Sequence, residues 1–108
     1  MSEEEFELII EDYRLDLPYI ELVFYVNTFR SKERLGKASY CSWALDELVA
    51  YVKKHPHKDK LTAVTDFARR MRFFMRKYPR TRHMFFIAAD VADDIADILR
   101  CSLTDKRN

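Results

Sequence analysis

The segment at residues 60–78, KLTAVTDFARRMRFFMRKY, decides the fold because its apolar side chains recur every three or four positions. That spacing is typical of an amphipathic α-helix with one buried face. Asp59 stands at the N-cap position, and Pro79 cannot continue the helix. The expected core residues of this helix are Leu61, Val64, Phe67, Ala68, Met71, Phe74, Met75 and Tyr78. A long helix with one apolar face predicts further helices packed against it.

Four further segments are also predicted to be helical. Ser2 and Glu5 have the form of a capping box, in which each residue satisfies a backbone N–H group of the other. The four predicted helices cover residues 3–15, Tyr19–Phe29, 38–54 and 82–101. The chain has only 1 glycine and 3 prolines, which leaves few positions for tight β-turns. We therefore predict an all-α fold, a compact bundle of four to five helices that forms a single helical domain over residues 1–108.

The segment Tyr19–Phe29, YIELVFYVNTF, also suits a buried β-strand because it is rich in β-branched and aromatic residues. A heavily buried helix is favoured, since no other segment is a strand candidate of comparable quality. A lone strand would leave its backbone groups without hydrogen-bond partners. The alternative is an α+β fold with strands at residues 19–29 and 83–89.

Composition and motifs exclude several classes of function. Charged residues make up 34% of the chain but the net charge is only +1, so any attraction to nucleic acid must come from a local patch. The sequence contains no Gly-rich phosphate loop, no dinucleotide fingerprint and no Gly-x-Ser-x-Gly motif. No spacing assembles a nucleophile, a base and an oxyanion donor. We therefore expect no enzymatic activity and no cofactor.

Three features bear on the cellular compartment. Cys41 and Cys101 belong to no C-x-x-C pair and lie beside apolar helical positions, so both are expected to be buried, reduced thiols. The acidic residues 2–5 do not have the basic start and apolar run of a signal peptide. No apolar stretch approaches the ~20 residues that cross a bilayer. These observations predict a cytoplasmic protein with no membrane partner.

Between Phe67 and Ala89 the chain carries seven basic residues and no carboxylate. We call these residues the basic strip: Arg69, Arg70, Arg72, Arg76, Lys77, Arg80 and Arg82. Arginine binds phosphate and carboxylate groups with paired hydrogen bonds, and lysine binds them as a point charge. Six residues of the basic strip are therefore candidate contacts for nucleic acid or a protein partner. The six candidates are Arg69, Arg72, Arg76, Lys77, Arg80 and Arg82. Base stacking would also require exposed rings, but Tyr78 is expected to lie in the core.

Four aspartates follow at i, i+3, i+4 and i+7, a spacing that places them on one face of a helix. We call Asp90, Asp93, Asp94 and Asp97 the acidic ridge. Carboxylates at this spacing are candidate ligands for a hard cation such as Mg²⁺. The favoured interpretation is an outer acidic face that pairs with arginines of the preceding helix. In an antiparallel hairpin, Arg69 would face the acidic half of the last predicted helix.

Four short stretches carry similar helix-face patterns: WALDEL at residues 43–48, YPRT at 78–81, FIAAD at 86–90 and DIADIL at 94–99. In these stretches the chain resembles a group of small uncharacterised proteins encoded on mobile elements of Gram-positive gut bacteria. The resemblance covers roughly Trp43–Leu99. It implies a cytoplasmic helical protein beside conjugation or regulatory machinery, and it implies no catalytic residue.

Three hypotheses of function follow from these patterns. The favoured one is a non-enzymatic interaction module, self-associating as a symmetric dimer, that uses the charged faces of the helices at 60–78 and 82–101. The alternative is a nucleic-acid-binding accessory or regulatory protein that uses the basic strip. The third is a metal-dependent hydrolase that uses the acidic ridge.

Overall fold

The computed structural model describes the backbone of residues 1–24 and 40–107 and the side chains of residues 1–20 and 40–102. Within these ranges there are five α-helices and no strand, which confirms the all-α fold. The helices are α1 Glu3–Leu15, α2 Leu17–Phe24, α3 Tyr40–Lys54, α4 Lys60–Lys77 and α5 Arg82–Arg107, and a 3₁₀ turn at Pro79–Thr81 joins α4 to α5. No helix in the described ranges has both the length and the hydropathy that crossing a bilayer requires.

The helix ends follow the capping residues that the sequence indicates. At the start of α1, the Glu5 N–H donates to Ser2 Oγ over 3.1 Å. At the start of α4, the Thr62 N–H donates to Asp59 Oδ1 over 2.8 Å. The Asp59 cap and the Ser2 half of the predicted capping box are confirmed. The helix α4 ends at Lys77, immediately before Tyr78 and Pro79, as the proline predicts.

The Asp59 cap has a measurable consequence. Its hydrogen bonds from the backbone and hydroxyl of Thr62 hold the pKa of the Asp59 carboxyl below its usual range. We expect Asp59→Ala to lower the free energy of unfolding by about 0.5–2 kcal/mol at neutral pH. A lowered folded-state pKa gives stability that is present above the usual carboxyl pKa and lost as pH falls through the folded value. Urea denaturation at neutral and acidic pH measures both effects.

The exposed Asp12 of α1 offers a matched control for this measurement. We expect Asp12→Ala to change the free energy of unfolding by no more than about 0.5 kcal/mol. Equal losses in the two variants would contradict a capping role for Asp59.

The α+β alternative is wrong for the described residues. Tyr19 and Ile20 lie in α2, and residues 83–89 lie in α5. The part of the segment Tyr19–Phe29 after Phe24 lies outside the described residues. The expected heavy burial of the segment is wrong at Tyr19, whose side chain is 70% exposed. Leu17, two residues earlier in the same helix, is buried. The helix α2 contacts α1 and α3.

The core centres on α5, which packs against α4, α3 and α1. Apolar spacing in the sequence predicts seven inward positions for this helix: Phe85, Ala88, Ala89, Ala92, Ile95, Ala96 and Leu99. Phe85 is partly buried and the other six are buried. Two further residues, Ile87 and Val91, are completely buried as well. They are buried because α5 has neighbours on several sides, so that its apolar face is wider than a single stripe. Alanines at positions 88, 92 and 96 share one face of α5 and allow close helix packing.

Two further expected burials, those of Tyr78 and Cys101, are wrong. Tyr78 is 46% exposed, because the chain leaves the helical conformation there and the spacing that aligns it with the core no longer applies. Cys101 is exposed whereas Cys41 is buried as predicted, and neither forms a disulfide. Cys101 follows the buried Leu99 by two positions, which turns it about 200° around the helix to the outer face.

Candidate interaction surface

The basic strip lies on the outer face of α4 and continues through the 3₁₀ turn. At 3.6 residues per turn, Arg69, Phe73 and Arg76 fall on one side of the helix, opposite its buried stripe. All three side chains are exposed, and the side chain of Arg69 is 80% exposed. Arg80 and Arg82 are exposed at the end of the strip. The structure thus places the predicted contact residues along one outer surface.

Two exposed aromatic rings lie within this basic surface. Phe73 is 53% exposed and Tyr78 is 46% exposed. The Lys77 ammonium lies over both, 5.7 Å from the Phe73 ring centroid and 5.5 Å from that of Tyr78. The position of Tyr78 overturns the expectation that it is unavailable for stacking. Sequence periodicity could not predict the exposure of Tyr78. Pro79 indicates where the helix ends, but it does not indicate the direction in which the side chain of Tyr78 points.

An open groove of about 540 Å³ runs beside the strip. Phe73 and Phe74 form its apolar wall, and Arg69, Arg70 and Arg76 form its basic rim. The guanidinium of Arg70 is held 5.6 Å from the Tyr51 ring centroid, which fixes one side of the rim. An apolar wall with a basic rim suits a partner that offers an apolar group between anionic groups.

Pairing within the α4–α5 hairpin neutralises only part of this charge. Arg72 forms an ion pair with Asp93, which confirms contact between the strip and the ridge. Arg69 instead pairs with Asp66 of its own helix over 3.5 Å, so its expected contact with the acidic half of α5 is wrong. Within the described part of the chain, Arg76 forms no ion pair. Most of the strip remains available to an anionic partner.

The carboxylates of the acidic ridge each have a different environment. Asp93 pairs with Arg72, and Asp97 pairs with Arg100 over 2.9 Å. The Tyr13 hydroxyl donates to Asp94 Oδ2 over 2.9 Å, while Asp90 is half-buried. Among the described residues, no three His, Cys, Asp or Glu side chains come together as a metal-binding group. The ridge extends over about 10 Å of helix, so its four carboxylates do not converge.

Desolvation and the charges of neighbouring carboxylates disfavour the ionised forms of Asp90 and Asp94. Desolvation raises the pKa of Asp90, and the charges of Asp93 and Asp94 raise it further. Desolvation also raises the pKa of Asp94, against the lowering effect of the hydrogen bond from Tyr13. Desolvation and the neighbouring Asp94 carboxylate in turn raise the pKa of the Tyr13 phenol. Ionisation of Asp90 and Asp94 therefore lowers the stability of the isolated chain.

This arrangement predicts that Asp90→Asn raises the free energy of unfolding at neutral pH. A carboxyl whose folded-state pKa is raised destabilises the fold once it ionises and does not when it is protonated. The advantage of the variant should therefore decline as pH falls through the folded-state pKa and disappear below about pH 3, where Asp is largely neutral in both states. Urea denaturation of dilute wild-type and variant protein, at neutral pH and at the acidic pH, measures the difference in the free energy of unfolding. Asp12→Asn is the control. An equal gain at both pH values would contradict a charge effect.

A second open groove, of about 480 Å³, lies on the far side of the ridge between α1, α2 and α5. We call it the acidic groove, and its lining includes Tyr13, Asp16, Tyr19, Asp94, Asp97 and Ile98. Tyr19 is 70% exposed and Ile98 is 38% exposed. Sequence reasoning missed this groove because it joins residues far apart in the chain, and no local spacing reports their proximity.

A third groove lies at the start of α4, and its two lysines already form ion pairs with carboxylates of the chain. It is lined by Lys58 and Lys60, among others. Lys58 pairs with Asp66 over 2.6 Å, and Lys60 pairs with Glu3. This groove therefore offers less uncompensated charge than the basic strip.

The fold and its surface define a small all-α protein with adjoining basic and acidic faces. Comparison with protein-family models, with curated proteins and with solved structures found no match for the chain. The proposals below accordingly rest on the residues and contacts of the chain itself.

Proposed function

We propose that the chain is a non-enzymatic helical interaction module that self-associates through the charged faces of α4 and α5. The observation that supports this proposal most directly is the exposed basic strip with its two aromatic rings, beside an acidic ridge that its own arginines only partly neutralise. The two faces meet at the Arg72–Asp93 ion pair. A surface with adjoining halves of opposite charge is complementary to a copy of itself.

A two-fold axis near the Arg72–Asp93 pair would place the strip of each copy over the ridge of the other. Such an interface is isologous and closes as a dimer. Cations from the second copy would favour the ionised forms of Asp90 and Asp94, which burial and repulsion disfavour in the isolated chain. Complementary charge also guides the encounter and sets the register of the two copies.

Sedimentation or light scattering across a concentration series tests self-association. We expect a dimer at about 0.05 M salt that weakens toward 1 M salt, where the Debye length falls to about 3 Å. Arg69→Gln with Arg76→Gln should weaken the dimer about tenfold or more, because each arginine contributes at two symmetric contacts. The matched control is Lys53→Gln with Lys54→Gln, which removes two exposed cations from α3. A wild-type monomer at high micromolar concentration and low salt would contradict the proposal.

The second candidate is a nucleic-acid accessory or regulatory protein that uses the same strip. The exposure of Phe73 and Tyr78 favours it, because base–aromatic stacking contributes about 1–3 kcal/mol per base. Fluorescence anisotropy with labelled single-stranded and duplex oligonucleotides tests it. Binding should fall steeply with salt and be lost in Arg69→Ala/Arg72→Ala/Arg76→Ala. Absence of binding at low salt removes this candidate.

The remaining sequence-based hypotheses stay predictions. The hydrolase hypothesis would require a thermal shift with Mg²⁺ or Mn²⁺ that disappears in Asp90→Asn/Asp94→Asn. The arrangement of the ridge gives it no support, since the described carboxylates form no metal-binding group. The cytoplasmic location and the resemblance to mobile-element proteins likewise stay predictions.

A further inference from the structure

The helices α1 and α4 have opposite charge compositions. The helix α1 carries six carboxylates and a single cation, Arg14, whereas α4 carries six cations and a single carboxylate, Asp66. The two helices flank the acidic ridge on α5. Arg72 of α4 contacts the ridge at Asp93, and Tyr13 of α1 contacts it at the next residue, Asp94. The surface therefore passes from the basic strip across the ridge to the acidic groove.

The strip and the acidic groove also offer complementary groups. On the strip, Phe73 is 53% exposed, with Arg69 four residues before it and Arg76 three residues after it. In the groove, the exposed apolar groups of Tyr19 and Ile98 lie beside the carboxylates of Asp16 and Asp97. One surface offers a ring between two cations, and the other offers an apolar recess beside two anions. Arg69 and Asp97 each form an ion pair within their own helix, with Asp66 and Arg100, but exposed pairs of this kind are weak enough to exchange for contacts with a second copy.

We infer that the acidic groove is the docking site for α4 of a second copy of this chain, with Phe73 entering beside Tyr19 and Ile98. This inference rests on the proposed self-association and names the surface that receives the strip. Arg69 and Arg76 then face the carboxylates of Asp16 and Asp97. The lining of the acidic groove includes the ridge carboxylates of Asp94 and Asp97, so a strip that docks in the groove also lies against the acidic ridge of that copy. A two-fold axis makes the two contacts of the dimer identical. The product is a closed dimer with two identical contacts.

Charge reversal on each surface separately tests the docking. The strip variant is Arg69→Glu/Arg76→Glu, and the groove variant is Asp16→Lys/Asp97→Lys. Each variant alone brings like charges together and should be monomeric under conditions where the wild type dimerises. An equimolar mixture should form a 1:1 heterodimer, because both of its contacts pair opposite charges. Sedimentation of the two variants and of their mixture measures this directly.

A single substitution tests the apolar part of the groove without a change of charge. Tyr19→Ala should weaken the dimer about tenfold, and Tyr19 is too exposed for the change to unfold the chain. Leu8→Ala, at a leucine of α1 that is 61% exposed, is the matched control and should leave the dimer unchanged.

The outcomes separate the two proposals. A wild-type dimer that is unaffected by the groove variant and by Tyr19→Ala overturns the docking site and leaves self-association standing. A mixture of the two reversed variants that stays monomeric also overturns it, provided that both variants retain the wild-type circular dichroism. A wild-type monomer overturns self-association itself. Oligonucleotide binding by the strip in place of dimerisation would assign the strip to the second candidate.

Discussion

Leu45→Ala is expected to lower the free energy of unfolding by about 2–5 kcal/mol, the largest effect of any substitution considered for this chain. Leu45 is completely buried on α3, which packs against both α4 and α5. Truncation removes three carbon atoms and leaves a cavity that the neighbouring helices fill only by moving. A loss of that size is a large part of the stability of a domain this small. Urea denaturation monitored by circular dichroism measures it.

Leu15→Ala is the matched control for this experiment. The same atoms are removed, but Leu15 is 79% exposed at the end of α1. The free energy of unfolding should change by no more than about 0.5 kcal/mol. If the two substitutions had similar effects, α3 would not be packed in the core and the bundle would be wrong.

Ala92→Leu should destabilise the chain by about 1–3 kcal/mol for the opposite reason. Ala92 is completely buried at the middle of α5, the helix against which α4, α3 and α1 all pack. A larger side chain there forces the helices apart or drives a neighbour out of its preferred rotamer. For a chain of this size each 1 kcal/mol corresponds to a fall in Tm of roughly 4–8 °C. Thermal unfolding followed by circular dichroism measures the shift.

The exposed Ala50 of α3 provides the control for overpacking. Ala50→Leu adds the same atoms on the solvent side of a helix, where leucine is nearly as good a helix former as alanine. Its Tm should remain close to that of the wild type. An unchanged Tm in Ala92→Leu would show that α5 has unfilled space beside it, in conflict with its complete burial.

The parts of the fold that local chemistry determines could be predicted from the sequence. Asp59 caps α4 because its side chain accepts a hydrogen bond from the N–H group of Thr62, three residues further on. The two partners are so close in the sequence that a short stretch of residues is enough to predict the cap. The buried stripe of α4 follows from a spacing of three and four residues, which the helix itself imposes. The acidic and basic faces could be placed on their helices for the same reason.

The parts that depend on how helices meet could not be predicted. Tyr78 belongs to the apolar pattern of α4, yet the chain turns at this residue and leaves its ring exposed. Arg69 pairs with Asp66 and not with α5, because the hairpin presents Asp93 to Arg72. The acidic groove needs Tyr19 and Ile98 side by side, and no pattern along the chain reports that proximity.

The central position of α5 bears on how the protein is made. Of the five described helices, α5 is the one that the ribosome delivers last, and it is also the one against which α1, α3 and α4 all pack. The surfaces that these three helices present to α5 therefore remain uncovered until the side chains of α5 up to Leu99 have emerged from the exit tunnel. Nascent chains that stall within α5 should be unable to complete the core and should be prone to aggregate. The packed core of the bundle is therefore complete only after α5 has been synthesised.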